Sequence, residues 1–189
     1  MKIILASQSE RRQDILTNLG VKFQVKPAHI CENIEGVSPM ETASQLALKK
    51  ARAVADKEED GIVIGADTVV LLGDTVLGKP NDISDAKKML TSLSGNEHLV
   101  ITGFACIDVK RGIEIVDKEV TTVFFRKLSE TIIDRYVATR EPMDKAGAYG
   151  IQGKGSLLVE KINGCYFNVV GLPISSLAQA LQKLDLDIM

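Results

Sequence analysis

Ile3-Ile4-Leu5-Ala6-Ser7-Gln8-Ser9-Glu10-Arg11-Arg12 passes from a short apolar run through two serines into charge. Ile15, Leu16 and Leu19 follow at helical spacing until Gly20, so the stretch reads as a buried strand, a turn and a helix with a glycine stop. Two arginines fall in the first turn of that helix, where the macrodipole already concentrates positive charge. Something anionic should offset them.

Downstream, Val21 to Lys26 alternates as a strand does, and residues 27–36, with Glu32 and Glu35, form a polar loop. Ser38-Pro39-Met40-Glu41 has the residues of a capping box with proline at the first helical position, and predicts a helix to about Asp56. Gly61 to Ala66 reads as a buried strand ending at Asp67. Thr68 to Leu72 and Thr75 to Leu77 then flank a Gly73-Asp74 hairpin turn. A helix over 83–93, long strands over 98–109 and 113–125, and a helix over 129–139 follow. Residues 141–155 hold Pro142 and four glycines, too many for a helix or a regular strand. Asn163-Gly164 predicts a hairpin between strands at 156–162 and 166–170, and an amphipathic helix spans 173–184. No repeat, low-complexity tract or linker interrupts the pattern, so residues 1–189 read as one domain.

The 189 residues are 45% hydrophobic and 25% charged, the balance of a folded globular chain. With 23 Lys and Arg against 25 Asp and Glu, the formal net charge is −2. That is the wrong sign for nonspecific binding to duplex nucleic acid. Cys31, Cys106 and Cys165 are odd in number and lack C-x-x-C spacing, which argues against a disulfide framework or a zinc ribbon and for a reducing cytoplasm. No apolar run approaches the roughly 18 residues of a membrane span. The stretch from Met1 to Ala6 lacks the pattern of an export signal.

Ser7, Ser9, Arg11 and Arg12 surround a helix N-terminus, a sensible phosphate site because a guanidinium grips phosphate oxygens in pairs. The plain alternative is that both arginines snorkel or pair with Glu10 and Asp14. On the second helix, Lys50 lies within the stripe of Ala43, Leu46, Ala47, Ala51 and Val54. An ammonium there either pairs in a polar cavity or snorkels past the stripe edge. Asp67, between two apolar runs, is a carboxylate at a buried strand end, where such groups bind metal, act as a base or cap a turn. Gly73 to Pro80 nearly spells a P-loop, yet Pro80 stands where Ser or Thr should hold magnesium. A P-loop ATPase is therefore rejected and Lys79 kept as a phosphate contact. His29 and His98 are too isolated for a zinc motif, and no cysteine has an arginine six residues on, which weakens metallohydrolase and cysteine phosphatase readings.

Taken together, Ile4-Leu5-Ala6-Ser7-x-Ser9-x-Arg11-Arg12, Gly65-Ala66-Asp67-Thr68, Gly78-Lys79-Pro80, Leu93-Ser94-Gly95 and the run from Glu141-Pro142-Met143-Asp144 to Gly153 resemble the Maf family, in the family's order and across nearly the whole chain. The resemblance implies an α/β fold like that of the inosine triphosphate pyrophosphatases: a long mixed β-sheet with flanking helices, forming two lobes around a cleft. It also implies a cytoplasmic nucleoside triphosphate pyrophosphatase that cleaves between the α and β phosphates with Mg2+ or Mn2+. The loop from Asp144 to Gly153 resembles that of the subgroup acting on dTTP and UTP. By matching positions, the resemblance makes Asp67 the proton acceptor and lets Arg11, Thr68 and Gln152 influence substrate choice. It places Ser7, Arg12, Lys50 and Lys79 on the phosphates. Glu32 matches an acidic position near the metal, although Ala28-His29-Ile30-Cys31-Glu32 departs from the more acidic stretch of the family.

The mechanism expected from this match is water attack on the α-phosphorus, oriented by Asp67, with Glu32 and Asp67 on the metal and Arg11, Arg12, Lys50 and Lys79 neutralising charge. Gln152, with an amide donor and acceptor, suits the O4 and N3–H edge of uracil or thymine. Removal of noncanonical or modified nucleotides fits the same chemistry. Two other readings use these residues: a pyrophosphatase of noncanonical purine triphosphates such as ITP, and a nucleotide-binding regulator of cell division that needs no turnover. A homodimer is expected from the resemblance alone.

Overall fold

The computed structural model describes residues 1–31 and 36–189. Glu32, expected at the metal, lies outside the described residues. Strand β1 (Ile3–Leu5) is wholly buried and leads into helix α1 (Glu10–Asn18). It pairs in parallel with both β2 (Gln24–Val25) and β3 (Ile62–Leu72). The strand expected over 21–26 shrinks to two residues because α1 is still ending there. Gly20 adopts φ 72° and the Val21 N–H returns to the Leu16 carbonyl at 3.1 Å.

Helix α2 (Pro39–Ala55) starts at the predicted proline and buries the predicted stripe, but without a capping box. The Ser38 carbonyl, not its hydroxyl, accepts from the Glu41 and Thr42 amides, and the Glu41 carboxylate is drawn to the Lys118 ammonium. A full charge competes better for that carboxylate than a local amide does.

Strand β3 runs unbroken through Asp67, which therefore lies inside a strand and not at its end. Residues 62–64 pair with β1, while residues 70–72 pair antiparallel with β4 (Thr75–Leu77) across the predicted Gly73-Asp74 turn. Asp67 falls between these two ladders. Helix α3 (Ile83–Leu93), strands β5 (Glu97–Asp108) and β6 (Ile113–Phe125), and helix α4 (Glu130–Ala138) follow the predicted spans. Asp82 and Ser129 cap the two helices with their side chains. Residues 141–158 form short 3-10 turns ahead of β7 (Val159–Asn163). The expected hairpin at Asn163-Gly164 does not form: residues 166–170 are the short helix α5 (Tyr166–Val170). Gly164, at φ 132°, packs onto Thr121. The Thr121 hydroxyl takes both the N–H and the carbonyl of Cys165, and the buried Asn168 amide donates to the Val100 carbonyl and to Thr121 Oγ1. Side chains thereby take the place of a strand ladder. Helix α6 (Ile174–Gln182) is the last element.

The sheet is mixed and seven-stranded, in the order β2-β1-β3-β5-β6-β7 with β4 on β3, which is the long mixed sheet with helices that was expected. The chain divides into two compact units. The first comprises residues 1–67, 102–119 and 171–189; the second comprises 68–101 and 120–170. In the first, Ala51, Val54 and Ala55 of α2 pack on Ile4, Ala6, Val63, Ala105 and Ile107. In the second, Leu90, Leu93, Ile133 and Val137 of α3 and α4 pack with Val100, Val123 and Phe125. No helix among the described residues is long and apolar enough to cross a membrane.

Two glycines set the depth at which α2 lies on the sheet. A Cβ at Gly65 would collide with the Ala47 carbonyl and sit 2.8 Å from the Ala51 nitrogen, and one at Gly103 would strike the backbone of Ala43 and Ser44. Gly65→Ala is expected to destabilise the protein by about 2–3 kcal/mol through overpacking. The check is a urea titration in which the midpoint falls and the slope does not change.

Candidate functional site

Gly65 and Asp67 lie two apart on β3 and therefore share one face of the strand. Helix α2 crosses that face at Ala47 and Ala51, so Lys50, on the same stripe, is carried to Asp67. Its Nζ donates to Asp67 Oδ1 at 2.6 Å, and the two side chains are only 13% and 14% exposed. Of the two readings open for Lys50, the structure adopts pairing. Each charge would be costly in an apolar setting without the other.

The turn after β1 holds a second polar group. Ser7 and Arg12 are both buried. Arg12 donates from Nε to the Gly171 carbonyl at 2.7 Å and from Nη1 to Ser7 Oγ at 3.1 Å, while the Ser9 amide donates to the same Oγ at 3.3 Å. Arg12 is thus pinned inward and does not snorkel on the surface. Arg11 is half-buried in the same helical turn. Ser7, Arg11, Arg12, Lys50 and Asp67 all belong to the first unit.

Thr68, Lys79 and Gln152 belong to the second. Thr68 is half-buried on β3, and Lys79 is exposed beyond β4. The Gly78 carbonyl beside Lys79 accepts from the Gly147 N–H at 3.0 Å, which ties the Lys79 segment to the glycine-rich loop. Gln152 is exposed and extended, at φ −93° and ψ 170°. Three residues earlier, Tyr149 is buried with its ring edge-on to His98 and Phe125, and its hydroxyl shares a 2.7 Å hydrogen bond with His98 Nε2. Burial pushes His98 down to about 4 and raises the Tyr149 phenol.

Gly171, and the contact of His98 with Tyr149, escaped the sequence reading. A carbonyl acceptor has no side-chain signature, and the only hint at Gly171 is a glycine ahead of Leu172-Pro173, where φ is 121°. His98 opens an apolar strand and looks like any partly polar strand end.

Among the described residues, no three His, Cys, Asp or Glu converge as metal ligands. Asp67 is nonetheless a hard oxygen donor, and nucleotide sites hold Mg2+ with one or two carboxylates together with substrate phosphates. The donor chemistry of Asp67 fits a hard cation such as Mg2+ or Mn2+ that shares its other ligands with phosphate oxygens.

Residues 2–184 match the Maf family, described as Maf-like protein. A protein of Alkaliphilus oremlandii named dTTP/UTP pyrophosphatase is 54% identical over 184 residues, 96% of this chain and 95% of that one. A protein of Desulforamulus reducens with the same name is 50% identical over 187 residues, 98% of each chain. Among solved structures, that of the Staphylococcus aureus Ham1 protein aligns with a TM-score of 0.47 and 14% identity, over 66% of this chain and 72% of that chain.

Arg12→Lys keeps the charge but cannot serve both the Gly171 carbonyl and Ser7 Oγ with one rigid fork. A loss of about 1–3 kcal/mol is expected, read by urea unfolding followed by circular dichroism. His98 gives a pH signature. Burial holds it near 4 in the folded chain against the ordinary 6.5 of an exposed imidazole, so between these limits the unfolded chain binds the extra proton. Stability should therefore fall as the pH is lowered across that window, by roughly 3 kcal/mol in all. His98→Gln should flatten that part of the profile when unfolding midpoints at pH 7, 5.5 and 4 are compared with those of the intact protein.

Proposed function

The chain belongs to the Maf family, and we propose that it hydrolyses dTTP and UTP between the α and β phosphates, giving the nucleoside monophosphate and pyrophosphate. The match over 96–98% of the chain to relatives of that name carries this reading. The residues of the site supply a chemistry for it.

Ser7 and the pinned Arg12 guanidinium bind phosphate oxygens, with Arg11 beside them at the α1 N-terminus. Lys50 and Lys79 add positive charge against the pyrophosphate as it leaves, so positioning and electrostatics do most of the catalysis. Asp67 has Oδ1 engaged by Lys50. Its Oδ2 orients a water for in-line attack and takes up the proton as the water oxygen bonds to the α-phosphorus and the bond to the pyrophosphate breaks. Asp67 and Glu32, with phosphate oxygens, would hold Mg2+ or Mn2+, which supplies further charge neutralisation when bound. Gln152 pairs with the O4 and N3–H edge of uracil or thymine, and Thr68 contributes to substrate choice. The resemblance further carries a cytoplasmic setting, a homodimer and the removal of modified nucleotides.

The test is pyrophosphate release from dTTP, UTP, CTP, GTP, ATP and ITP with Mg2+ or Mn2+. Preference for dTTP and UTP is expected, with a fall of about 10^2 to 10^4-fold in kcat for Asp67→Asn. Preference for ITP would replace this reading with that of a purine house-cleaning enzyme. Nucleotide binding with no pyrophosphate release would replace it with that of a regulator.

A further inference from the structure

The backbone on the two sides of Gln152 is tied to two side chains that are bonded to each other. Before it, the Gly150 N–H donates to Tyr136 Oη at 3.2 Å. After it, the Lys154 N–H donates to Glu141 Oε2 at 3.1 Å and the Gly155 N–H to Glu141 Oε1 at 3.0 Å. Tyr136 closes the arrangement by donating its own proton to Oε1 at 3.0 Å. One carboxylate therefore accepts from three donors, and one phenol both donates and accepts.

The clamp is itself held in place and closely packed. The Glu141 N–H donates to Thr139 Oγ1 at 3.2 Å, and its carbonyl accepts from Lys145 Nζ at 2.6 Å. Tyr136 is buried on α4. A Cβ at Gly153, where φ is 61°, would lie 3.0 Å from Glu141 Oε2, and one at Gly155 would lie 2.7 Å from Tyr136 Oη. Such contacts leave the turn one path past the carboxylate.

From this geometry we infer that Glu141, supported by Tyr136, is a positioning residue for pyrimidine selectivity: its carboxylate holds the turn over 150–155 so that the Gln152 amide meets the base in one orientation. The inference rests on Gln152 as the base-reading residue. Discrimination by hydrogen bonds needs the reading group held within about 0.5 Å, and an exposed glutamine among glycines has no such hold of its own. Carboxylate chemistry is specific here. An amide at 141 would offer one oxygen, and its NH2 would then confront either the Lys154 N–H or the two donors at Oε1. A loosened turn weakens recognition of the base without touching the phosphate machinery, so the effect belongs in KM and in substrate ratios.

The experiment measures kcat and KM for UTP, dTTP and CTP with the intact protein, Glu141→Gln, Tyr136→Phe, Gln152→Ala and the double variant Glu141→Gln with Gln152→Ala, each with a thermal melt. Glu141→Gln is expected to raise KM for UTP about tenfold with kcat within about twofold, as the loss of a charge-assisted hydrogen bond implies. Its UTP-over-CTP ratio in kcat/KM should fall to that of Gln152→Ala, and the double variant should be no less selective than Gln152→Ala alone, since the clamp acts through that residue. Tyr136→Phe removes the acceptor for Gly150 and should relax the ratio in the same direction, which decides the matter where Glu141→Gln does not fold. The inference is overturned if Gln152→Ala abolishes the ratio while Glu141→Gln and Tyr136→Phe preserve it, or lower kcat equally for all three substrates. If Gln152→Ala itself preserves the ratio, the base-reading role of Gln152 fails first and the clamp's role in selectivity with it.

Discussion

Helix α2 can lie where it does only because Gly65 and Gly103 have no side chain, and the chemistry of the first unit depends on that depth. Lifted by the width of a methyl group, α2 would carry Lys50 away from Asp67. A carboxylate would then remain in an apolar strand without its ammonium, a state that typically costs several kcal/mol. Close packing and charge pairing are thus one constraint seen from two sides. The glycines set the distance, and the ion pair makes that distance worth keeping.

The residues proposed to meet the phosphates follow a similar logic, in which side chains are oriented by groups that do no chemistry. Arg12 gives its Nε to a main-chain carbonyl and its Nη1 to Ser7, so its direction is settled before any anion arrives. Such preorganisation suits phosphoryl transfer, where catalysis is mainly positioning and electrostatics. Tyr149 is anchored in an aromatic cluster for a related reason: a loop with glycines at 147, 150, 153 and 155 needs fixed points supplied by its neighbours.

Much of this was legible from residue pattern. Stripes and alternation gave α2, α3, β5 and β6 within a residue or two, because these elements bury a face that the pattern records. Lys50 and Asp67 stood out as charges set among apolar residues, and burial does demand a partner for each. Two of the misses share a cause. The Ser38 box and the Asn163-Gly164 hairpin are local signals, and each lost to a distant partner: Lys118 took the Glu41 carboxylate, while Thr121 and Val100 took the polar groups of Cys165 and Asn168. The roles of Gly171 and Glu141 left no trace in the pattern for a further reason. Gly171 gives its carbonyl to a guanidinium 159 positions away, and Glu141 takes the main-chain amides of Lys154 and Gly155; a main-chain group looks the same at every position.

The Arg12 to Gly171 bond joins residues separated by 159 positions. Chains lengthen at about 5–20 residues per second during synthesis, so roughly ten to thirty seconds pass between the making of the guanidinium and the making of its seat. The residues of α1 are made early, but the carbonyl that fixes Arg12 comes late. A nascent chain therefore carries Arg11 and Arg12 well before the carbonyl that orients Arg12 has been made, and that guanidinium takes up its direction only once residue 171 is in place.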